Sequence, residues 1–330
     1  MNERVLVTGI TGYIGQHCAV ELLKKGYEVV GSIRSKSKAD STQNAIAKIA
    51  PADKLSFVEA DLLSDKGWDS AMKGCIYVLH VASPFVIAEP KNENDLIAPA
   101  VEGTKRILAA AKRAKVKRVV LTSSTAAIMA GNGSGKFGPE TWSNLDGKIS
   151  AYLKSKTLAE KAAWEFVKES AMELTVINPG GVFGPPISGA VDGQNVKMLT
   201  DMINGKLPMI PDVAMGMIDV RDVARLHVKA MTASGAEGKR FIAASAEPIE
   251  MATIAAILKK AGYSKVPSLR APSMLLRIMS LVDREAKGMI PFLGQRAAFD
   301  NQATFEVLDW RPTPIENSIK EMATAISQTN

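Results

Sequence analysis

A β-branched run, Arg4-Val5-Leu6-Val7, passes directly into Thr8-Gly9-Ile10-Thr11-Gly12-Tyr13-Ile14-Gly15, and a helical pattern continues to Lys25. A strand that ends in glycines at 9, 12 and 15 and then opens a helix has few folds available to it. The first glycine permits a tight turn, the second lets the backbone approach a pyrophosphate, and the third lets the helix pack on the strand. The helix N-terminus then offers free N–H groups and a partial positive charge to phosphates. The run predicts a dinucleotide site at Gly9, Thr11, Gly12, Tyr13, Ile14 and Gly15.

The same alternation repeats through the first half of the chain. Strands are predicted at Val5–Thr8, Glu28–Ile33, Ser56–Ala60, Tyr77–Ala82, Arg118–Thr122 and Thr175–Asn178. Helical patterns lie between them at Ile14–Lys25, Ser41–Ala50, Lys66–Lys73, Ile97–Lys115 and Ala151–Glu169. This repetition predicts an α/β fold, a Rossmann-type doubly wound parallel sheet with helices on both faces. Such sheets bind ligands at the carboxyl ends of their strands. From Gly184-Pro185-Pro186 onward the pattern changes to short helices, loops and one or two strands, among them Arg240–Ala243. Residues 1–184 thus read as the dinucleotide-binding domain. Residues 185–330 read mainly as a smaller mixed substrate-binding lobe, with segments returning to the first domain. The glycine-rich stretch Gly131 to Pro139 is expected to be an irregular, mobile loop near the mouth of the site. The apolar run Met274 to Val282 reads first as core packing at helical spacing, and second as a cover for a pocket.

Composition excludes several classes. The longest apolar runs, such as Ile76 to Ala88, are broken by His80 and Pro84 and are too short to span a bilayer. Two cysteines, Cys18 and Cys75, stand in no metal or redox spacing, and His17, His80 and His227 are scattered, so no metal is expected. The chain enters a strand at once, with no signal-peptide pattern, which predicts a cytoplasmic protein. The net charge of +7 is spread along the chain rather than clustered, so no nucleic-acid partner is expected. A solvated basic surface is the plainer reading, and steering of an anionic cofactor is the second. The helix Ile97–Lys115 packs either on its own sheet or across a homodimer, and the sequence does not decide.

Cofactor choice is read at the end of the second strand. An NAD site usually places an acid there, roughly 20 residues past the glycines. Here the stretch is Ser32-Ile33-Arg34-Ser35-Lys36-Ser37-Lys38, without an acid. Arg34 arrives where a 2′-phosphate would sit, and its planar guanidinium pairs well with phosphate. Lys38 or Lys36 adds a second charge, although a solvated loop explains Lys36 as well. NADPH is therefore the expected cofactor. Asp61 and Leu62 fall after the third strand, at the adenine edge. Val81, Ala82 and Ser83 fall after the fourth, on the path to the nicotinamide.

Tyr152 and Lys156 are four residues apart on a predicted helix and so share a face. A phenol titrates near 10, and a neighbouring ammonium is expected to lower that value. Tyr152 can then protonate a carbonyl oxygen as hydride reaches its carbon. Ser124 ends the fifth strand after Thr122 and Ser123, and its hydroxyl can hold the substrate oxygen. The strand end is ambiguous by one residue, so Ser123 is the alternative. Ser83 and Phe85, with Ser124 and Tyr152, are the substrate-facing candidates.

These motifs, together with Pro99 to Thr104, Ile177-Asn178-Pro179-Gly180-Gly181-Val182-Phe183-Gly184-Pro185, Asp219 to Ala224 and Trp310 to Pro314, resemble in order the extended short-chain dehydrogenase/reductase family. Within it the chain looks most like the dihydroflavonol reductase and cinnamoyl-CoA reductase group, which includes microbial aldehyde and ketone reductases. The resemblance runs nearly end to end. It implies a catalytic set of Ser124, Tyr152 and Lys156, with Lys156 on the nicotinamide ribose. It places Pro179, Gly180, Gly181 and Val182 at the nicotinamide end, and Arg34 on the 2′-phosphate. Plant members often carry a bulkier residue where Gly180-Gly181 stands, which implies more space there. The implied activity is NADPH-dependent reduction of a small carbonyl substrate. A sugar-nucleotide epimerase or dehydratase on the same fold, and a non-catalytic NADP sensor, are the alternatives.

Overall fold

Val5, Leu6 and Val7 are consecutive and all fully buried, so the first strand is covered on both faces. A computed structural model describes residues 3–83, 88–147, 149–188 and 193–328. Seven strands form one sheet: β1 (Arg4–Thr8), β2 (Glu28–Ile33), β3 (Leu55–Glu59), β4 (Cys75–His80), β5 (Arg118–Thr122), β6 (Glu173–Pro179) and β7 (Arg240–Ala243). Their order is β7-β6-β5-β4-β1-β2-β3, and every pairing is parallel. The order reverses between β1 and β4, and ligand crevices open at such a switch point. The predicted doubly wound sheet is therefore observed.

Helices α1 (Tyr13–Lys24), α2 (Ala39–Ala47), α3 (Trp68–Met72), α4 (Asn94–Arg113), α5 (Ala126–Met129) and α6 (Ala151–Val167) follow the strands in turn. After β6 come α7 (Gln194–Ile203), α8 (Val220–Thr232), α9 (Met251–Lys260) and α10 (Ser273–Met279). One face of the sheet is covered by α1 and α8, through Cys18, Leu22, Val223 and Leu226. The other is covered by α3, α4 and α6, through Trp68, Ile107, Leu108 and Ala163. The α4 helix thus buries its apolar stripe on its own sheet. A further core joins α7, α9 and the helix Ile315–Ser327 around Leu199, Ile254 and Ile319.

Three expectations need correction. Arg240–Ala243 is the edge strand of the main sheet rather than part of a separate lobe, because Phe241 and Ala243 are fully buried beside β6. Part of the glycine-rich stretch is regular: Gly135–Phe137 pairs in parallel with Ala297–Phe299, and the Phe137 side chain packs with Ile128 and Phe299. The run Met274 to Val282 is not core. Met274 is 71% exposed, Leu281 83% and Val282 90%.

The glycine turn is built by close approach. Gly9 sits at φ +67°, and Gly12 N–H donates to its carbonyl at 2.9 Å. A Cβ on Gly15 would lie 2.2 Å from the same carbonyl oxygen, so α1 could not start where it does. Gly15→Ala is expected to cost about 2 kcal/mol through this overpacking. Chemical denaturation checks it, and an unchanged midpoint would show that the turn relaxes freely.

Candidate functional site

Every candidate element converges on the carboxyl ends of β1, β2, β4, β5 and β6. The N-terminus of α1 has no side-chain cap and no acid in its first turn, which leaves its N–H groups to an anion. The turn is pinned by its own side chains. Tyr13 donates to the Gly184 carbonyl at 2.6 Å, Gln16 bridges the Thr11 carbonyl and Ser188, and His17 donates to the Pro185 carbonyl at 3.0 Å. Burial holds the Tyr13 phenol well above its ordinary value, so Tyr13 serves this turn as a neutral anchor. Ser32, at the end of β2, accepts from Gly9 N–H at 3.2 Å.

Beyond β2, Arg34 and Lys38 are exposed, and neither makes an ion pair among the described residues. A turn held open only by glycines, an uncapped helix end and an unpaired guanidinium fit an NADP-type dinucleotide. The Asp61 carboxylate accepts from Leu63 N–H at 2.8 Å, and Leu62 packs against Gly103. Val81, Ala82 and Ser83 are half-buried after β4. Thr8 accepts from Ala82 N–H at 3.0 Å and lies 2.9 Å from His80 Nδ1. Burial, helped by the charge of Lys156, lowers His80 to about 3, so its ring is neutral. Phe85 lies outside the described residues.

The ambiguity at the end of β5 is resolved. Thr122 bonds to His227 Nε2 at 2.7 Å, and Ser123 donates to Glu160 at 2.5 Å, so both hydroxyls are committed to the core. Ser124 is half-buried, and its hydroxyl is hydrogen-bonded to Tyr152. The start of α6 is fixed by Ser150, which accepts from Leu153 N–H, and by the Glu89 carboxylate, which accepts from Ala151 N–H at 3.1 Å. Lys156 is buried one turn on from Tyr152.

The expected pKa direction for the tyrosine is wrong. Burial pushes the Tyr152 phenol up to about 12, against the pull of the Ser124 hydrogen bond. Burial also lowers the Lys156 ammonium to about 8. Desolvation of both groups outweighs any field the ammonium exerts on the phenol. Tyr152 is therefore a neutral O–H at physiological pH.

The expected space at Gly180-Gly181 is also absent. A Cβ on Gly180 would lie 2.1 Å from the Gly216 carbonyl oxygen, and one on Gly181 would lie 2.5 Å from Met215 Sδ. The glycines instead admit the short parallel pair Gly181–Phe183 and Met217–Asp219. Pro179 accepts from Thr125 N–H at 2.9 Å, and Val182 is buried. A cavity of about 370 Å³, walled by Met129 of α5, Ile149, Leu153, Ile290 and Phe292, adjoins the small apolar cluster on which Tyr152 packs.

Residues 5–244 match the NAD dependent epimerase/dehydratase family. The chain belongs to that family, the extended short-chain dehydrogenase/reductases. It is 36% identical over 248 residues to cinnamoyl-CoA reductase CAD2 of Medicago truncatula, covering 72% of this chain and 75% of that one. It is 36% identical over 268 residues to the NADPH-dependent methylglyoxal reductase GRE2 of Saccharomyces cerevisiae, covering 73% and 78%. The crystal structure of yeast methylglyoxal/isovaleraldehyde reductase Gre2 with NADPH superposes with a TM-score of 0.80 at 29% identity, covering 98% of each chain.

In this family member the sequence reading missed the support beneath the catalytic face. Glu160 is buried one turn beyond Lys156, so Tyr152, Lys156 and Glu160 lie along one side of α6. Glu160 accepts from Arg240 Nε at 2.5 Å, from Asn178 Nδ2 at 2.8 Å and from Trp164 Nε1 at 3.2 Å. Asn178 also donates to the Ser124 carbonyl at 3.1 Å. Arg240 donates to the carbonyls of Pro139 and Thr141 and stacks on Trp142, 3.9 Å from the ring centre. The only sequence signal was the spacing of Glu160 from Lys156. Glu160→Gln is expected to cost about 3 kcal/mol by leaving the buried guanidinium uncompensated. The double variant Glu160→Met, Arg240→Met should recover much of that loss. A thermodynamic cycle by denaturant unfolding checks both; additive losses would refute the coupling.

Proposed function

We propose that this chain is an NADPH-dependent reductase of aldehydes and ketones, working reversibly as an alcohol dehydrogenase. The observation that carries the reading is the Tyr152–Ser124 hydrogen bond with Lys156 buried one turn away, at the carboxyl edge of the sheet. NADPH would be held by the glycine turn, with its 2′-phosphate at Arg34 and Lys38, its adenine end near Asp61 and Leu62, and its nicotinamide end near Val81, Ala82 and residues 179–182. The cofactor supplies hydride when bound.

The chain's own residues supply the proton and the geometry. Ser124 and Tyr152 bring their hydroxyls together, and a carbonyl oxygen placed there would meet both. Tyr152, kept neutral by burial, donates its proton to that oxygen as negative charge develops. Lys156 stabilises the phenolate left behind and binds ribose hydroxyls. The apolar cavity beside Leu153 takes the body of the substrate. Residues 1–184 would serve mainly cofactor binding and 185–330 mainly substrate binding, with Arg240–Ala243 returned to the sheet. An epimerase would normally bind NAD through an acid after β2, and Arg34 stands there instead.

The test is NADPH consumption across a panel of aldehydes, α-ketoaldehydes, diketones and aryl ketones, repeated with NADH. Tyr152→Phe is expected to lower kcat by about 10²–10⁴-fold with NADPH affinity kept; full activity would sink the mechanism. Arg34→Ala is expected to weaken NADPH binding about tenfold or more and leave NADH little changed. Equal loss for both cofactors would remove the role given to Arg34.

A further inference from the structure

The cavity beside Tyr152 is apolar except at two points. One is Arg277 of α10, which lines it. Arg277 is exposed and makes no ion pair among the described residues. Other arginines nearby are committed: Arg284 donates to the Glu89 carbonyl at 2.6 Å, and Arg296 is paired with Asp212 and Glu250. The second point is Gln295, which lines the same cavity but whose Oε1 is closed off from it.

The run that carries Arg277 was expected to be core. It is instead the exposed wall of this cavity, and its single cation lies on the cavity side. An unpaired guanidinium over an apolar pocket favours a ligand with an apolar body and an anionic end. The opposite wall carries Ile149 and Leu153, which flank the proton donor.

We propose that Arg277 selects carbonyl substrates that bear a carboxylate or phosphate at the end remote from the carbonyl. This rests on the reductase reading above. The carbonyl end meets Ser124 and Tyr152, the apolar body fills the cavity, and the anion reaches Arg277.

The experiment compares kcat/KM for three aldehydes of one shape: 4-formylbenzoate, 4-formylphenyl phosphate and the neutral methyl 4-formylbenzoate. The expected result is a preference of about tenfold for at least one anion over the neutral ester. The carboxylate and phosphate arms show which anion is served. Arg277→Ala should bring the ratio of anionic to neutral kcat/KM to about one, and Arg277→Glu should invert it. Turnover of all three at equal efficiency, or a ratio unchanged in both variants, overturns the role of Arg277 and leaves the reductase reading standing. No turnover of any aldehyde by the unaltered protein overturns the reductase reading, and this inference with it.

Discussion

The buried carboxylate of Glu160 is the contact on which the site depends. It sits on the same side of α6 as Tyr152 and Lys156 and is fully enclosed, so its charge must be met by protein groups. Arg240 meets it from β7, Asn178 from β6 and Ser123 from the end of β5. One carboxylate thus ties α6 to three adjacent strands. Ser124 is held by the same set, because Asn178 carries its carbonyl. The hydroxyl pair that would receive a substrate oxygen is therefore positioned by groups that never touch substrate.

Burial sets the chemistry as well as the geometry. The same exclusion of water that raises Tyr152 lowers Lys156 and keeps His80 neutral. A tyrosine raised to about 12 keeps its proton at neutral pH. The site therefore has one neutral donor beside one group that titrates within the working range. An exposed Lys at the same spacing would stay charged through that range.

Much of this was legible in the sequence, and the part that was not has a common cause. The glycines at 9, 12 and 15, Arg34 without an acid beside it, and Tyr152 with Lys156 are local patterns, and local patterns survive reading in one dimension. The doubly wound parallel sheet and six of its strands followed from the strand–helix alternation, while β7 was read with the smaller lobe because a four-residue strand carries no signal of its partner. Glu160 looked like any helix-surface acid; only the distant Arg240 makes it a core residue. The glycines at 180 and 181 suggested space, and the Gly216 backbone and the Met215 side chain fill it. The run at 274–282 had the pattern of core packing, and solvent rather than protein covers most of it.

The most direct test of the central claim, that burial sets both members of the Tyr152–Lys156 pair, is the pH dependence of kcat/KM for NADPH, which reports the ligand-free enzyme. A neutral Tyr152 does not titrate below its raised pKa, whereas Lys156 loses its charge as pH rises through about 8. The account predicts a plateau at lower pH and one falling limb centred near 8, absent when Lys156→Arg keeps the charge. A falling limb near 8 that persists unchanged in Lys156→Arg, as titration of Tyr152 itself in that range would give, would contradict it.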